Sequence, residues 1–193
     1  MDHPKIELLE VTRSDVQNIL SWLENEEIVD SWFGRYTYGD PAHLGYHPAE
    51  TLEKSSEEWN PIFQDPEHMI FSIYNAEGIH VGESHVAIEE SLGDGQISIL
   101  IGRKEWWDHG YGSQALKETI KNCFEVVGLF RVWADIPEYN TRAIHVFENL
   151  GFVHEGTFRK SRPHEGARHD SVVMGMLSTE YSAKFQSEAN IRD

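Results

Sequence analysis

The stretch between residues 96 and 134 constrains this chain more than any other, because its periodicity changes twice. Gln96-Ile97-Ser98-Ile99-Leu100-Ile101 is an apolar strand that Gly102 ends. From Gly112 the pairs Ala115/Leu116, Thr119/Ile120 and Cys123/Phe124, then Val127, mark one face of a helix. Gly128 stands where such a helix terminates, and Leu129-Phe130-Arg131-Val132-Trp133-Ala134 is again a strand. Strand, helix and strand in succession predict a right-handed crossover and a local parallel pair.

The rest of the chain surrounds that unit. Residues 6–11 read as a first strand, and Ser14 followed by Gln17 offers a capping box. Val16, Ile19, Leu20 and Leu23 carry the helix to about residue 27. Residues 30–47 read as a loop, in which Trp32, Phe33, Tyr36 and Tyr38 either wall a pocket or pack the first helices. Residues 48–59 read as one acidic helix with Leu52 and Trp59 inward. Residues 69–74, 79–89 and 96–101, separated by turn-forming clusters, make an antiparallel meander. Residues 140–150 form a helix that Gly151 ends, and residues 152–158 and 171–177 are closing strands. The order β-α-α-β-β-β-α-β-α-β-β predicts an α+β class, a mixed sheet with helices on both faces. One domain should span residues 5–178, and the polar tail 179–193 should fray.

The formal net charge is −17. That field repels nucleic acid, whose phosphates need clustered Lys and Arg, and it attracts a cationic small molecule or basic peptide. The same acidity also keeps a protein soluble. The sole cysteine, Cys123, forms no internal disulfide and builds no thiolate metal site alone. His164, Glu165 and His169 lie in a turn between two strands, and their spacing matches no zinc signature, so no metal is expected. No run of about 18 apolar residues is present, and the first residues lack a charged and an apolar signal region. A cytoplasmic location is the expectation, with no membrane partner.

Trp107-Asp108-His109-Gly110-Tyr111-Gly112-Ser113-Gln114-Ala115 sits between the strand and the periodic helix. Its glycines permit a tight turn and close approach to a ligand. Amides at a helix N-terminus are unpaired and lie at the positive end of the dipole, so a pyrophosphate fits there without a basic side chain. An ordinary strand–helix turn is the alternative. No Gly-x-x-x-x-Gly-Lys-Ser/Thr occurs, and residues 102–112 do not match the dinucleotide fingerprint.

This segment resembles the acetyl-CoA pyrophosphate loop of the GCN5-related N-acetyltransferases, Gln/Arg-x-x-Gly-x-Gly/Ala. It is most similar to the branch of ribosomal-protein N-terminal and spermidine acetyltransferases. The strand from Gln96 to Gly102 resembles the family's cofactor-pairing strand. Asn140-Thr141-Arg142-Ala143-Ile144-His145-Val146-Phe147-Glu148-Asn149-Leu150-Gly151-Phe152 resembles its second motif, Asn-x-x-Ala-x-x-x-Tyr-x-x-x-Gly-Phe. The resemblance implies a twisted, mostly antiparallel sheet of six to seven strands with about four helices. It also implies transfer of an acetyl group from acetyl-CoA to a primary amine. The amine would belong to a small cation or a peptide N-terminus, and a homodimer is common in the family. The runner-up is a catalytically weak acyl-CoA-binding sensor or regulatory module.

Carried onto this chain, the resemblance puts Ile99, Leu100 and Ile101, His109, Gly110, Tyr111, Gly112 and Ser113, and Asn140 and Phe147 at the cofactor. The strand 98–101 should splay from the next strand, often with a bulge, and a backbone N–H near Leu100 would stabilise the oxyanion. Asn140 should cap its helix as well as contact the cofactor arm. Three departures stand out: Trp107 replaces Gln or Arg, although Trp is usual in this branch, Asp108 and His109 make the loop less positive, and Phe147 replaces a tyrosine thought to protonate the leaving thiolate. Tyr139 and Tyr111 are candidates to replace that hydroxyl. The amine must first lose a proton. Glu83, with His85 second, is the candidate base, both on one face of the strand 79–89, where the alternative is an ordinary solvated face.

Overall fold

The computed structural model describes residues 4–32 and 45–186. In chain order these form β1 (Ile6–Leu9), α1 (Arg13–Trp22), α2 (Glu26–Trp32), α3 (Pro48–Leu52), α4 (Ser56–Phe63), β2 (His68–Asn75), β3 (His80–Glu89) and β4 (Asp94–Ile101). There follow α5 (Tyr111–Lys121), β5 (Arg131–Pro137), α6 (Thr141–Leu150), β6 (Val153–His164), β7 (Ala167–Leu177) and α7 (Ser178–Tyr181). The seven strands make one mixed sheet in the order β1-β2-β3-β4-β5-β7-β6. Among the described residues only β4 and β5 are parallel, as the crossover through α5 requires.

That parallel pair is short. Asp94, Gly95 and Gln96 face Arg131, Val132 and Trp133, and no pairing follows. β4 instead keeps its register with β3 from Gly82↔Ile101 to Glu89↔Asp94, while β5 stays with β7 from Arg131↔Leu177 to Pro137↔Ser171. The sheet therefore divides into two halves that part beyond Gln96. The splay occurs where it was expected, but without a bulge in β4. The register shifts lie between Ile73 and Tyr74 in β2 and within β6.

Alternation along β4 assigns its two faces. Ile97 packs with Leu116, Ile120, Val132, Phe147 and Met174 beneath α5 and α6. Leu100 packs on the opposite face with Val16, Ile19, Trp22 and Tyr46. Gly102 lies where β4 leaves the sheet under Trp22, and a Cβ there would fall 2.0 Å from the indole ring. Gly102→Ala should therefore cost about 1–3 kcal/mol, read as a lowered denaturation midpoint with unchanged m-value.

Several boundaries differ from expectation. Thr12, not Ser14, caps α1: its hydroxyl accepts from the Asp15 amide and the Asp15 carboxylate accepts from the Thr12 amide. That register turns Asp15 inward, where Ser72 and Tyr74 donate to it at 3.0 and 2.5 Å, a tertiary reward that local sequence does not show. α1 stops at Trp22 and α2 starts anew at Glu26. The acidic helix is two helices, because Ser55 and Glu58 form a second capping box. β6 and β7 run on until Glu165-Gly166, both at positive φ, so residues 162–164 and 167–169 are paired strand rather than loop. The chain also remains packed past residue 178: Tyr181 is buried and its hydroxyl donates to Glu125 at 2.6 Å. Phe33, Tyr36 and Tyr38 lie outside the described residues.

Candidate active site

The parting of β4 and β5 opens a cleft floored by sheet edges and flanked by α5 and α6. Ile97, Ile99 and Ile101 line it from β4, Ala134 and Ile136 from β5, with Phe147 beneath. Antiparallel pairing fixes which backbone groups face it. The Gly102 amide donates to the Val81 carbonyl at 2.9 Å. Hydrogen-bonded pairs recur every second residue, so Leu100 and Ser98 point their amides at β3. The Ile97 amide lies where Trp133 of β5 is paired, and beyond it Ile99 and Ile101 point theirs into the cleft. The Ile101 carbonyl is taken by the Trp107 indole N–H at 3.0 Å. Ser98 contributes to the lining as well, but its hydroxyl is buried, on the face that Leu100 shares, without a hydrogen-bond partner among the described residues.

At the mouth of the cleft, Gly110 adopts φ 85° as the N-cap of α5 and offers no side-chain cap. The first helical bond is Gln114 N–H to the Gly110 carbonyl at 3.0 Å, so the amides of Tyr111, Gly112 and Ser113 have no acceptor within the helix. Gly110, Gly112 and Ser113 all line the cleft. A Cβ on Gly112 would meet nothing nearer than Ile101 Cγ1 at 3.7 Å. Packing within the protein therefore does not demand that glycine, whereas a ligand filling the space would. Free amides and a vacant cradle along one apolar trough fit a diphosphate with an extended polar arm. Asn140, at the other rim, caps α6 by accepting from the Ala143 amide at 3.1 Å, and it too lines the cleft.

Of the expected cofactor residues, Ile99, Ile101, Gly110, Gly112, Ser113, Asn140 and Phe147 are thus brought together. Leu100 is turned toward the α1 face, and His109 and Tyr111 lie with Pro4 and Glu105 on the outer side of the loop. Arg142 was missed. It reaches from α6 across the mouth, its Nε 2.9 Å from Asp108 Oδ1 and its guanidinium 4.6 Å from the centre of the Trp107 ring. The contact joins residues 34 positions apart, and only the fold reveals it.

The candidate bases sit on β3, outside the lining of the cleft. Glu83 is opposite Leu100 and fully buried. Tyr46 donates to its Oε2 at 2.6 Å, while Oε1 has no partner among the described residues. Burial pushes its carboxyl up to about 8; the Tyr46 hydrogen bond opposes this and the nearby Asp15 charge adds to it. Asp15 itself is held below the usual carboxylate value, since hydrogen bonds from Tyr74 and Thr12 outweigh its burial. Two residues along, His85 meets His68, Nε2 to Nδ1, at 2.9 Å, and Gly45 lies against both rings. Neither face is solvated, contrary to the plainer expectation for this strand.

Tyr139 stacks on His164 at 4.0 Å between centroids and meets His169 edge-on at 5.4 Å. It belongs to the β6–β7 hairpin side and does not line the cleft. Beside it the buried Arg162 pairs with Asp135, which also accepts from Gln96. Phe147 packs edge-on against Phe152 at 4.8 Å. Among the described residues no three His, Cys, Asp or Glu side chains are placed to hold a metal ion, and no helix is long and apolar enough to cross a membrane.

Residues 5–153 match the family model described as acetyltransferase (GNAT) domain. The spermidine N(1)-acetyltransferase of Vibrio cholerae is 21% identical over 178 residues, covering 92% of this chain and 95% of that protein. An uncharacterized N-acetyltransferase, p20, of Bacillus licheniformis is 28% identical over 95 residues, 49% of this chain and 53% of that protein, so the match spans about half its length. Among solved structures, the Vibrio cholerae spermidine N-acetyltransferase in complex with CoA and spermine superposes with TM-score 0.74 at 20% identity, covering 91% and 97% of the two chains. At that identity the likeness is one of fold.

Proposed function

This chain belongs to the acetyltransferase (GNAT) family, and we propose that its cleft presents acetyl-CoA to a primary amine of a small polycation. Acetyl-CoA supplies the activated acetyl group. The observation that carries the reading is the divided sheet, with the amide-rich start of α5 at one end of the trough and Glu83 behind its floor. The amides of Tyr111, Gly112 and Ser113 hold the diphosphate. The Ile97 carbonyl and the backbone of Ile99 pair with the arm, and the N–H of Ile99 or Ile101 receives developing charge on the acyl oxygen.

Glu83 is the final acceptor of the attacking amine's proton, reached through a relay rather than by direct contact, since it is buried behind the floor of the cleft. Its free Oε1 is the acceptor atom, while Tyr46 holds Oε2. His85 serves less well, because the nitrogen it would use is engaged with His68. Phe147 offers no proton, and Tyr139 faces the hairpin, so coenzyme A leaves as a thiolate, tolerable for a thiol of pKa about 8.5. Phe147→Tyr should then raise kcat by up to about tenfold, a fraction of what acid catalysis supplies, measured by thiol release at saturating substrates.

The choice of a polycation rests on the net charge of −17 and on relatives named for spermidine. A cytoplasmic location and a homodimer belong to the same proposal. The exposed side chains of Leu92, Val126 and Phe130 on neighbouring turns support self-association, which sedimentation would measure. Thiol release from acetyl-CoA with polyamines, aminoglycosides and amino-terminal peptides tests the reading. Turnover confined to the polyamines is expected. Turnover with peptides alone would reassign the acceptor, and binding without any turnover would leave only a sensor.

A further inference from the structure

The loop at the start of α5 lacks the usual cation, and Asp108 adds a negative charge beside the expected diphosphate. Arg142 stands over the same place. It projects from the first turn of α6, lies across the Trp107 ring, and pairs with Asp108 at 2.9 Å. Trp107 is itself fixed by its hydrogen bond to the Ile101 carbonyl. Trp107, Asp108 and Arg142 all line the cleft, at the end where Gly110, Gly112 and Ser113 present their amides.

We propose that Arg142 is a phosphate ligand for coenzyme A, and that the Asp108 carboxylate occupies it in the free protein as a built-in competitor for that anion. This rests on the reading of the cleft as the acetyl-CoA site. A guanidinium has five donors in a planar fork, matched equally well by a carboxylate or a phosphate oxygen pair. Asp108 sits at φ 62°, a conformation aspartate tolerates, and its carboxylate meets Arg142 on α6. Both partners of the pair are exposed, Asp108 the more so, and the pair is weak enough to exchange. A phosphate that also gains the α5 amides would displace the carboxylate. Aspartate here sets the affinity lower than the amides and arginine alone would give, which favours release of coenzyme A after transfer.

Calorimetric titration of coenzyme A, and of pantetheine as the phosphate-free probe, into the wild-type protein, Arg142→Gln and Asp108→Asn tests this. Arg142→Gln should weaken coenzyme A about tenfold, the scale of one charge-assisted contact at a partly exposed site, and leave pantetheine unchanged. Asp108→Asn should tighten coenzyme A several-fold. Equal coenzyme A affinity in Arg142→Gln would remove the ligand role, and weaker binding in Asp108→Asn would remove the competitor role. Either failure with intact wild-type binding overturns this inference alone, whereas no wild-type binding overturns the site itself.

Discussion

Replacing Glu83 by glutamine should lower kcat by about 10²- to 10⁴-fold while the affinity for coenzyme A stays within about twofold. Glutamine keeps the shape and the hydrogen bond with Tyr46 but accepts no proton at neutral pH. The wild-type rate should rise with pH until the carboxyl near 8 has ionised, and that limb should vanish in the variant. Tyr46→Phe tests the same group from the other side. The Tyr46 hydroxyl stabilises the ionised carboxylate, so removing it should move the limb to higher pH. Among the described residues, Ser72 on β2, Leu100 on β4, Asp15 on α1 and His85 on β3 also face or flank it.

Stability should move the opposite way from activity. The carboxyl holds its proton in the folded protein up to about 8 but loses it near 4.5 when unfolded. The folded state therefore binds more protons between those values, and the contribution of Glu83 is full below 4.5 and lost as pH rises toward 8. Glu83→Gln abolishes this dependence, so the inactive variant should melt no lower than wild type at pH 8. A melting point that fell with the rate would point to a structural role.

Gly112→Val should reduce coenzyme A affinity on the order of 100-fold with little change in melting temperature. The space beside Gly112 is open in the free protein, its nearest neighbour to a Cβ being 3.7 Å away. A branched side chain then displaces the ligand rather than the protein's own atoms. The contrast with Gly102 is direct: there a single methyl meets Trp22 at 2.0 Å, and the cost falls on folding. Two glycines ten residues apart thus separate binding from stability.

The sequence disclosed the parts of the molecule that local pattern controls. The change of period around Gly112 gave the crossover, and the crossover gave the parallel pair. Alternation on β3 put Glu83 and His85 on one face, but nothing local showed that the face is covered. Tyr46, 37 positions earlier, covers Glu83. The Thr12/Asp15 cap was hidden because Thr12, Ser14 and Asp15 offer overlapping boxes, and Ser72 and Tyr74 decide between them. Arg142 stood within a quoted motif, yet its partner Asp108 belongs to another element. Long-range partners, not element types, were what the sequence withheld.

Everything assigned to the cleft depends on diphosphate binding at the start of α5. Isothermal titration of coenzyme A into the wild-type protein and Gly112→Val measures that directly. Saturable binding of one molecule per chain, weakened on the order of 100-fold in the variant, is the expected result. Absence of binding, or equal binding by both proteins, would contradict it.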